Sequence, residues 1–329
     1  MKVLLYAGSL KLVDKSGVGQ AMKHQKKALE LVNIPHTLNS KEEYDIIHLN
    51  TIFPNALWMA WLAKRRKKKI IYYAHSTMED FRDSFIGSNL LAPLFKKWIT
   101  FCYNHGDIVI TPTNYSQTIL ETYAIKRPIY TLTNGIDTGY FKKTERGRQR
   151  FRKKYGINKE EKVILSVGHY MERKGIIDFV KLAEKMPTYQ FFWFGYTNLH
   201  LVPANVKRAL QRKLPNLHFP GYISRQELSD AYAGSDLFLF LTHEETEGIV
   251  LLEALAAKIP ILIRDIPIYK DWLQNGQTVY KGRTLEDFEQ TSKDIIEQRL
   301  PDLSENGFQL ALERDIKVVS HKLMELYQL

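Results

Sequence analysis

A predicted strand, an acidic loop and a predicted helix follow one another in the stretch Leu237-Phe-Leu-Phe-Leu-Thr-His-Glu-Glu-Thr-Glu-Gly-Ile-Val-Leu-Leu-Glu-Ala-Leu-Ala256. The first five residues are all apolar, which favours a buried strand, and Gly248 opens a helix that continues to about Ala257. Buried strands that lead through a short loop into a helix are typical of parallel sheets. Such sheets bind ligands just beyond the carboxyl ends of their strands, so this loop is a candidate functional site.

The same alternation of strand and helix runs through the rest of the chain. A first series of strands is predicted at Val3–Tyr6, Asp45–Leu49, Lys69–Ala74, Asp107–Thr111 and Ile129–Leu132. A second series is predicted at Lys162–Val167, Tyr189–Phe194, Leu217–Phe219, Leu237–Leu241 and Pro260–Ile263. Between the two series the sequence is charged and lacks apolar periodicity, so we place a linker near residues 141–160.

The sequence therefore predicts an α/β protein of two doubly wound domains that face each other across a cleft. We expect the domains to comprise residues 1–145 and 146–329. Two C-terminal helices, predicted at 285–298 and 304–327, are expected either to cover the second domain or, from about residue 313 to 329, to cross back to the first.

The composition is that of a folded protein: 44% of the 329 residues are hydrophobic and 25% are charged. Cys102 is the single cysteine, so no internal disulfide can form, and the first residues enter a strand pattern without a signal-peptide cleavage region. No run reaches the roughly 18 apolar residues of a membrane-spanning helix. We expect a cytoplasmic protein whose contact with any membrane is peripheral.

The net charge of +11 lies entirely in the first half of the chain. Residues 1–150 contain 23 Lys and Arg against 12 Asp and Glu, whereas residues 151–329 contain 24 basic and 24 acidic residues. A basic half favours a polyanionic partner, for which nucleic acid and an anionic lipid surface are the two ordinary candidates.

Glu245 and Glu253 flank the start of the predicted helix at Gly248. The unpaired N–H groups and the positive dipole end of a helix start bind anions, so the amides near Ile249 and Val250 are placed to cradle a diphosphate. The two carboxylates, one in the loop and one about a turn inside the helix, are placed to accept hydrogen bonds from two sets of hydroxyls. The alternative is that the helix dipole alone favours acidic residues here.

A turn with two cations follows the predicted strand Lys162–Val167, in the sequence Gly168-His-Tyr-Met-Glu-Arg-Lys-Gly175. Arg173 and Lys174 lie in this turn, where cations neutralise phosphates. The turn and the acidic loop both follow strands of the second half, so we expect them to share one site.

The first half contributes a glycine motif and one candidate histidine. Lys15-Ser-Gly-Val-Gly19 lies between the first predicted strand and its helix, where Gly17 and Gly19 allow a phosphate to approach the backbone because no side chain intervenes. His75 ends the third predicted strand at the expected cleft, whereas His48 lies within a strand and is expected to pack in the core.

These motifs resemble those of the glycosyltransferases of family 4, over essentially the whole chain. The most specific element is a Glu-x7-Glu pattern, met by Glu245 and Glu253 with Gly248 between them. Further matches are Gly17, Gly19, His75, Asn134–Asp137, Lys174 and Gly175. The resemblance implies the GT-B fold of two facing Rossmann-like domains, and transfer that retains the anomeric configuration of the donor.

The resemblance also implies roles for individual residues. It implies that Glu245 contacts hydroxyls of the donor sugar, that Glu253 binds the ribose and that Lys174 binds the diphosphate. It further implies that His75 contacts the donor sugar near the reacting centre. The co-substrate implied is a UDP-sugar, and no cofactor is implied.

One departure from the family pattern concerns the phosphates. The family usually has Arg directly after the glycine at 168, where this chain has His169, so we assign the second phosphate cation to Arg173 and keep His169 as the other candidate. No Asp-x-Asp cluster follows a predicted strand, so we expect no metal; Lys174, Arg173 and the helix amides are expected to stabilise the leaving charge. No second carboxylate is placed as a nucleophile, which favours front-face attack by the acceptor hydroxyl.

Two segments of the first half mix apolar and basic residues. Ala56-Leu-Trp-Met-Ala-Trp-Leu-Ala63 is followed at once by six basic residues, Lys64–Lys69, and the segment Phe85–Phe101 combines large apolar side chains with two lysines. Such mixtures suit a lipid headgroup interface. The alternative is that each is an ordinary helix that buries its apolar residues and leaves its basic end in solvent.

A narrower resemblance is carried by Ala74-His-Ser-Thr-Met-Glu-Asp-Phe-Arg-Asp-Ser-Phe-Ile-Gly-Ser-Asn89 and Ala92-Pro-Leu-Phe-Lys-Lys97. These stretches are similar to Gram-positive glycolipid synthases that add a second hexose to monoglucosyl-diacylglycerol. The similarity implies a UDP-glucose or UDP-galactose donor, a membrane glycolipid acceptor and an α-linked diglycosyl-diacylglycerol product. It also implies an enzyme bound to the inner face of the cell membrane.

Two other functions stay open at this point. One is transfer to a soluble or polyprenyl-linked glycan, and the other is a non-catalytic basic binding protein on the same scaffold. No nucleic-acid-binding motif occurs in the sequence, so we assign the basic half to an anionic membrane surface and expect no nucleic-acid partner.

Overall fold

The computed structural model describes residues 1–9 and 16–329. Its first sheet is parallel throughout, in the strand order β2-β1-β3-β4-β5-β6. These strands are β1 Val3–Tyr6, β2 His36–Thr37, β3 Ile46–Leu49, β4 Lys69–Tyr73, β5 Ile108–Thr111 and β6 Ile129–Thr131. The helices between them are α1 Gly17–Leu31, α2 Pro54–Arg65, α3 Met78–Phe81, α4 Ser88–Tyr103 and α5 Asn114–Glu121.

The second sheet is also parallel, in the order β12-β11-β10-β7-β8-β9. Its strands are β7 Lys162–Val167, β8 Tyr189–Phe194, β9 Leu217–Gly221, β10 Leu237–Phe240, β11 Ile261–Arg264 and β12 Tyr280–Gly282. The accompanying helices are α6 Glu145–Tyr155, α7 Ile176–Lys185, α8 Ala204–Leu210, α9 Arg225–Gly234, α10 Ile249–Ala256, α11 Leu285–Ile296 and α12 Ser304–Leu312. Short 3₁₀ turns occupy Glu172–Lys174 and Pro267–Tyr269.

Both sheets are covered on their two faces, which is why their strands are almost continuously apolar rather than alternating. In the first domain, one face packs on α2 and α4. The other face packs on α1 and on a last helix, α13 Ile316–Gln328, which crosses back from the second domain. Tyr327 of α13 lies in this core and its hydroxyl is 2.6 Å from Nδ1 of His48, which is fully buried as expected from the sequence.

The ten predicted strands are confirmed with shifts of at most two residues at their ends. The sequence does not predict β2 and β12, because strands of two and three residues leave no apolar run to detect. The helix predicted over 304–327 is wrong as one element, since α12 ends at Leu312 and α13 begins at Ile316. Asp315 causes the break: its side chain caps α13 at Lys317 N and accepts a hydrogen bond of 2.5 Å from the hydroxyl of Thr138.

The strand order of each sheet marks where a ligand binds. The strand order reverses between the adjacent strands β1 and β3 in the first sheet, and between the adjacent strands β7 and β10 in the second. In doubly wound sheets the crevice opens at these switch points, beyond the carboxyl ends of the strands. Residues that follow β1, β4, β7 and β10 line one cleft between the two domains.

Candidate active site

The cleft between the domains has a volume of about 320 Å³. Its walls come from strand ends and from the first turns of α1 and α10. Nearly all site residues predicted from the sequence line it: Gly17, His75, Gly168, Arg173, Lys174, Glu245, Gly248, Ile249, Val250 and Glu253. The fold therefore brings these residues together, while their individual roles stay predictions.

The start of α10 faces the cleft with its backbone. Gly248 is the residue before the first helical turn and has a φ of 88°, a conformation that side chains with a Cβ rarely adopt. No side chain in the described part of the chain caps the helix, and both Ile249 and Val250 line the cleft. The first amides of α10 and its dipole therefore favour an anion at this point.

Glu253 lies one turn inside α10 and is almost completely buried. The hydroxyl of Tyr232 donates a hydrogen bond of 3.2 Å to its Oε2. Burial raises the pKa of Glu253 to about 7, against the opposing effects of Arg225 and Tyr232. The carboxyl group faces the cleft and is placed to accept hydrogen bonds from ligand hydroxyls.

Lys174 and Glu245 form an ion pair at the bottom of the cleft. Lys174 ends the turn that follows β7, and Glu245 lies in the loop that follows the neighbouring strand β10. Burial lowers the pKa of Lys174, and the attraction of Glu245 opposes this shift. A diphosphate that enters the cleft would compete with Glu245 for the ammonium group.

Gly175 allows these two loops to meet. It has a φ of 79°, and a Cβ at this position would lie 2.2 Å from the carbonyl oxygen of Leu241. Any side chain here would push the Lys174 turn away from β10. On the other side of the turn, the carbonyl oxygen of Gly168 accepts a hydrogen bond of 2.9 Å from the indole of Trp193, which fixes the end of β7.

Arg173 bridges the two domains rather than standing free in the cleft. Its guanidinium lies 2.9 Å from Asp80 and donates to the hydroxyl of Ser84 at 2.8 Å, and both partners belong to the first domain. It also donates to the carbonyl oxygen of Glu244 at 3.1 Å. If Arg173 contacts a phosphate, its guanidinium must make that contact while it also links the two domains.

His169, the other candidate for a phosphate contact, lines the same part of the cleft. Its Nδ1 lies 2.8 Å from the carbonyl oxygen of Tyr196, an acceptor, so Nδ1 carries the proton. Burial lowers the pKa of His169, and the neighbouring Lys174 and Arg173 lower it further. The imidazole is therefore neutral near pH 7 and does not supply the positive charge of the arginine it replaces.

His75 lies two residues beyond the end of β4 on the opposite wall of the cleft. Its ring stacks on Tyr73 with a centroid distance of 4.5 Å. Its Nε2 is 2.9 Å from Oδ1 of Asn50, and its carbonyl oxygen accepts a hydrogen bond from Thr246 of the acidic loop. Burial lowers the pKa of His75 to about 3, so the ring is neutral at physiological pH.

The two glycines of the first domain lie within the helix, whereas the sequence predicts them between the strand and the helix. Gly17 and Gly19 are the first and third residues of α1. Gly17 lines the cleft, and a Cβ there would meet no atom of residues 1–9 or 16–329 within 4 Å, whereas Gly19 is buried. Lys15 of the same motif lies outside the described residues.

Comparison with known proteins identifies the family. A family model described as "Glycosyl transferases group 1" matches residues 147–309, and one described as "Glycosyltransferase Family 4" matches residues 27–140. The processive diacylglycerol alpha-glucosyltransferase of Acholeplasma laidlawii is 36% identical over all of this chain and 98% of its own. The chain belongs to glycosyltransferase family 4.

Other comparisons of this glycosyltransferase agree with its fold and family. The alpha-galactosylglucosyldiacylglycerol synthase of Streptococcus pneumoniae is 25% identical over 75% of this chain and 67% of its own. Among solved structures, Anabaena HepE in complex with UDP and glucose matches with a TM-score of 0.79 and 16% identity, covering 100% of this chain and 99% of that one. The architecture is thus GT-B, as the sequence resemblance implied.

Sequence reasoning missed Glu247 of this glycosyltransferase, which is fully buried in the acidic loop. The backbone N–H and the side-chain amide of Asn134 donate to its Oε2 at 3.0 and 2.7 Å, and the hydroxyl of Thr133 donates to its Oε1. These bonds tie the loop after β10 to the turn after β6. The turn at Asn134–Asp137 is part of the family resemblance, but the spacing of residues in the sequence does not show that Glu247 is its partner.

The sequence also gives no signal for Arg225, because an arginine at the start of a helix is common on protein surfaces. Its guanidinium lies 4.1 Å above the ring of Tyr140 and lines the cleft near Glu253. Its Nε and Nη2 are buried and have no hydrogen-bond partner among the described residues. A guanidinium has five N–H donors, so Arg225 offers donors to a ligand at this end of the cleft.

Proposed function

We propose that this glycosyltransferase moves a hexose, glucose or galactose, from a UDP-sugar to a membrane glycolipid, monoglucosyl-diacylglycerol, with retention of configuration and without a metal ion. The product would be an α-linked diglycosyl-diacylglycerol. The names of the two bacterial relatives, which refer to glucosyl and galactosyl transfer on diacylglycerol lipids, support this choice of donor sugar and acceptor. The word processive in one of those names supports the addition of a hexose to a lipid that already carries one.

The observation that carries the proposal is the position of exposed apolar side chains on the domain that faces the acceptor. Trp58 and Trp61 of α2 stack on each other at 4.7 Å, and Trp58 is 57% exposed. On α4, Leu90 is 86% exposed, and Leu94 and Phe101 are also exposed. The two helices are neighbours, because the indole of Trp98 in α4 donates to the carbonyl oxygen of Ile52 just before α2.

The sequence alone leaves open the alternative that α2 and α4 bury their apolar residues, and the exposed side chains do not fit that alternative. Both helices bury one side in the core of the first domain and leave large apolar side chains in solvent on the other. The basic run Lys64–Lys69 begins in the last turn of α2 and continues to the first residue of β4. Apolar side chains beside cations suit the headgroup region of an anionic bilayer. None of the helices in the described part of the chain has the length and apolarity to cross a bilayer.

The cleft supplies the groups that a UDP-sugar needs. Lys174 and the first amides of α10 would neutralise the diphosphate, Glu253 would accept hydrogen bonds from the ribose, and Glu245 would accept them from the hexose. The preorganised positive charge would favour the leaving UDP, in which negative charge develops on the β-phosphate. This is the basis for proposing catalysis by side chains and amides alone.

The reaction step would take place on one face of the donor hexose. The acceptor hydroxyl oxygen forms a bond to the anomeric carbon as the bond from that carbon to the β-phosphate oxygen breaks and its electron pair goes to the phosphate. The hydroxyl proton moves to the β-phosphate oxygen, so no protein side chain needs to act as base, and because the acceptor oxygen attacks directly, no protein carboxylate acts as nucleophile. His75, neutral because burial lowers its pKa to about 3, would contact the donor sugar beside this centre.

Transfer to vesicles tests the proposal directly. Vesicles of phosphatidylglycerol with monoglucosyl-diacylglycerol are incubated with radiolabelled UDP-glucose or UDP-galactose, in EDTA, and diacylglycerol, a soluble glucoside and a polyprenyl-linked glycan serve as competing acceptors. We expect label in an α-diglycosyl lipid, identified by NMR of the anomeric proton. Label only in a soluble or polyprenyl-linked acceptor would overturn the lipid assignment, dependence on a divalent cation would overturn metal-free transfer, and a trapped glycosyl-enzyme would overturn the front-face step.

A further inference from the structure

His75 contacts a buried side chain at the end of the next strand. Asn50 is the residue after β3, and His75 follows the adjacent strand β4, so the two strand ends place them side by side. The distance between Nε2 of His75 and Oδ1 of Asn50 is 2.9 Å. Asn50 is 1% exposed, so solvent does not compete for this contact.

The amide of Asn50 is held by a partner on helix α1. Nε2 of Gln25 donates to Oδ1 of Asn50 at 2.8 Å, and Nδ2 of Asn50 donates to Oε1 of Gln25 at 2.9 Å. Gln25 is 4% exposed. Two antiparallel hydrogen bonds between buried amides fix both planes, and they leave the oxygen of Asn50 facing His75.

This arrangement determines which nitrogen of His75 carries the proton. An amide oxygen only accepts hydrogen bonds, so Nε2 must be the protonated nitrogen, and a neutral imidazole then has a lone pair on Nδ1. The stack on Tyr73, with an interplanar angle of 19°, holds the plane of the ring. The amide pair of Asn50 and Gln25 fixes the rotation of the His75 ring within that plane, and it also selects the tautomer.

We propose that Gln25 and Asn50 are positioning residues that orient His75 and fix it as the Nε2–H tautomer, so that Nδ1 accepts a hydrogen bond from a hydroxyl of the donor hexose. The proposal deepens the proposed function and rests on the contact of His75 with the donor sugar. The tautomer sets the direction of that hydrogen bond, since an imidazole with Nδ1–H would instead donate to the oxygen of the same hydroxyl.

Nitrogen NMR reads the tautomer directly. In protein labelled with ¹⁵N-histidine at pH 8, the resonances of His75 are assigned by their loss in His75→Gln. We expect the Nε2–H tautomer in the wild type, a mixture of tautomers in Asn50→Leu, which removes the acceptor at similar volume, and the Nε2–H tautomer again in Asn50→Asp, which restores an acceptor. Gln25→Met, which frees the Asn50 amide to turn, is expected to give a mixture as well.

Kinetics separate positioning from general damage. UDP has no hexose, so the Kd of Asn50→Leu for UDP should stay within about twofold of the wild-type value. The kcat for transfer should fall on the order of tenfold. Asn50→Asp should recover most of this loss. Tyr327→Phe is the matched control: it removes a different buried hydrogen bond of the same domain, 2.6 Å long, to His48. We expect it to leave the His75 tautomer and kcat unchanged.

Three results would overturn the proposal. They are an Nδ1–H tautomer in the wild type, a wild-type tautomer retained in Asn50→Leu, and an equal loss of UDP affinity and kcat in that variant. Failure of the proposed function looks different: the NMR result would stand, but the wild type would transfer no hexose to monoglucosyl-diacylglycerol.

Discussion

The ammonium group of Lys174 and the carboxylate of Glu245 form a buried ion pair at the switch point of the second sheet, with 13% and 6% of the two side chains exposed. The pair exists because Gly175 lets the turn after β7 approach the carbonyl oxygen of Leu241 at the end of β10. Each charge has lost most of its hydration, so each depends on the other until a ligand with its own charge and hydroxyls arrives.

Removal of either member should stop transfer. We expect Lys174→Ala and Glu245→Ala each to lower hexose transfer about 100-fold or more, because one removes the proposed cation for the diphosphate and the other the proposed acceptor for sugar hydroxyls. Lys281→Ala is the control, since Lys281 is also a poorly exposed lysine, paired with Asp265 outside the cleft. Transfer within a few-fold of wild type in both cleft variants would contradict the assignment.

The same pair predicts non-additive stability. Lys174→Met or Glu245→Leu leaves one buried charge without its partner and should cost about 3–5 kcal/mol in free energy of unfolding. The double variant removes both charges and should be more stable than either single variant. Urea unfolding of the four proteins measures the coupling, and a double variant whose loss equals the sum of the single losses would refute a buried pair.

Much of the fold and of the site could be predicted because the relevant signals are local. Strands such as β7 and β10 are unbroken apolar runs, since both sheets are covered on two faces. Glu245, Gly248 and Glu253 stand in one short stretch whose spacing is set by a loop and one helical turn.

The remainder depends on contacts between distant parts of the chain. The break between α12 and α13 is set by the bond of Asp315 to Thr138, although the apolar pattern continues through it. Arg173 lies in a turn that suits a phosphate cation, but its contact with Asp80 makes it a bridge between domains. Asn50 showed no pattern at all, because its importance comes from Gln25 and His75 on other elements.

The raised pKa of Glu253 predicts that its contribution to the free energy of unfolding falls as pH rises. Its pKa is about 7 in the folded protein against 4.5 for an unperturbed glutamate, so between these values the folded state binds more protons than the unfolded state. Stability from this group is therefore complete below about pH 4.5 and is lost as pH rises through 7, by up to about 3 kcal/mol. Relative to the wild type, the stability of Glu253→Gln should therefore rise between pH 5 and pH 8.

Thermal unfolding of both proteins across this range checks the prediction, with Glu227→Gln as the control. The pKa of Glu227 is lowered to about 2, first by its hydrogen bond to Lys154 and then by Ser224, so it is ionised throughout the range. Its variant should show a constant difference from wild type. A constant difference for Glu253→Gln as well would show that this carboxyl group does not titrate near neutrality.

The basic end of α2 predicts electrostatic membrane binding, and the structure selects which charges to remove. Lys69 donates to the carbonyl oxygen of Tyr327 at 3.0 Å and Lys68 lies near Asp45, so both should be kept. We expect the triple variant Lys64→Gln, Arg65→Gln and Lys67→Asn to bind anionic vesicles roughly 100-fold more weakly, at about 1 kcal/mol per charge. Asn is chosen at 67 because the φ of Lys67 is +55°.

Its control removes equal charge from the second domain, by Lys207→Gln, Arg208→Gln and Lys213→Gln, and should bind vesicles like the wild type. Both triple variants should hydrolyse the UDP-hexose donor at the wild-type rate, because neither set of residues lines the cleft. Equal weakening by the two sets would mean that net charge, not the end of α2, attracts the protein.

The exposed leucines of α4 predict a second, salt-independent contribution to membrane binding. Leu90 and Leu94 stand in solvent on the free side of the helix, so Leu90→Ser and Leu94→Ser together should leave the core intact and weaken vesicle binding. Because apolar insertion is not screened, this loss should persist in 0.5 M salt, where the effect of the charge variants on α2 should largely vanish. Sedimentation with vesicles at low and high salt separates the two contributions. If the leucine variant lost binding only at low salt, the two leucines would not act by insertion into the bilayer and the prediction would be wrong.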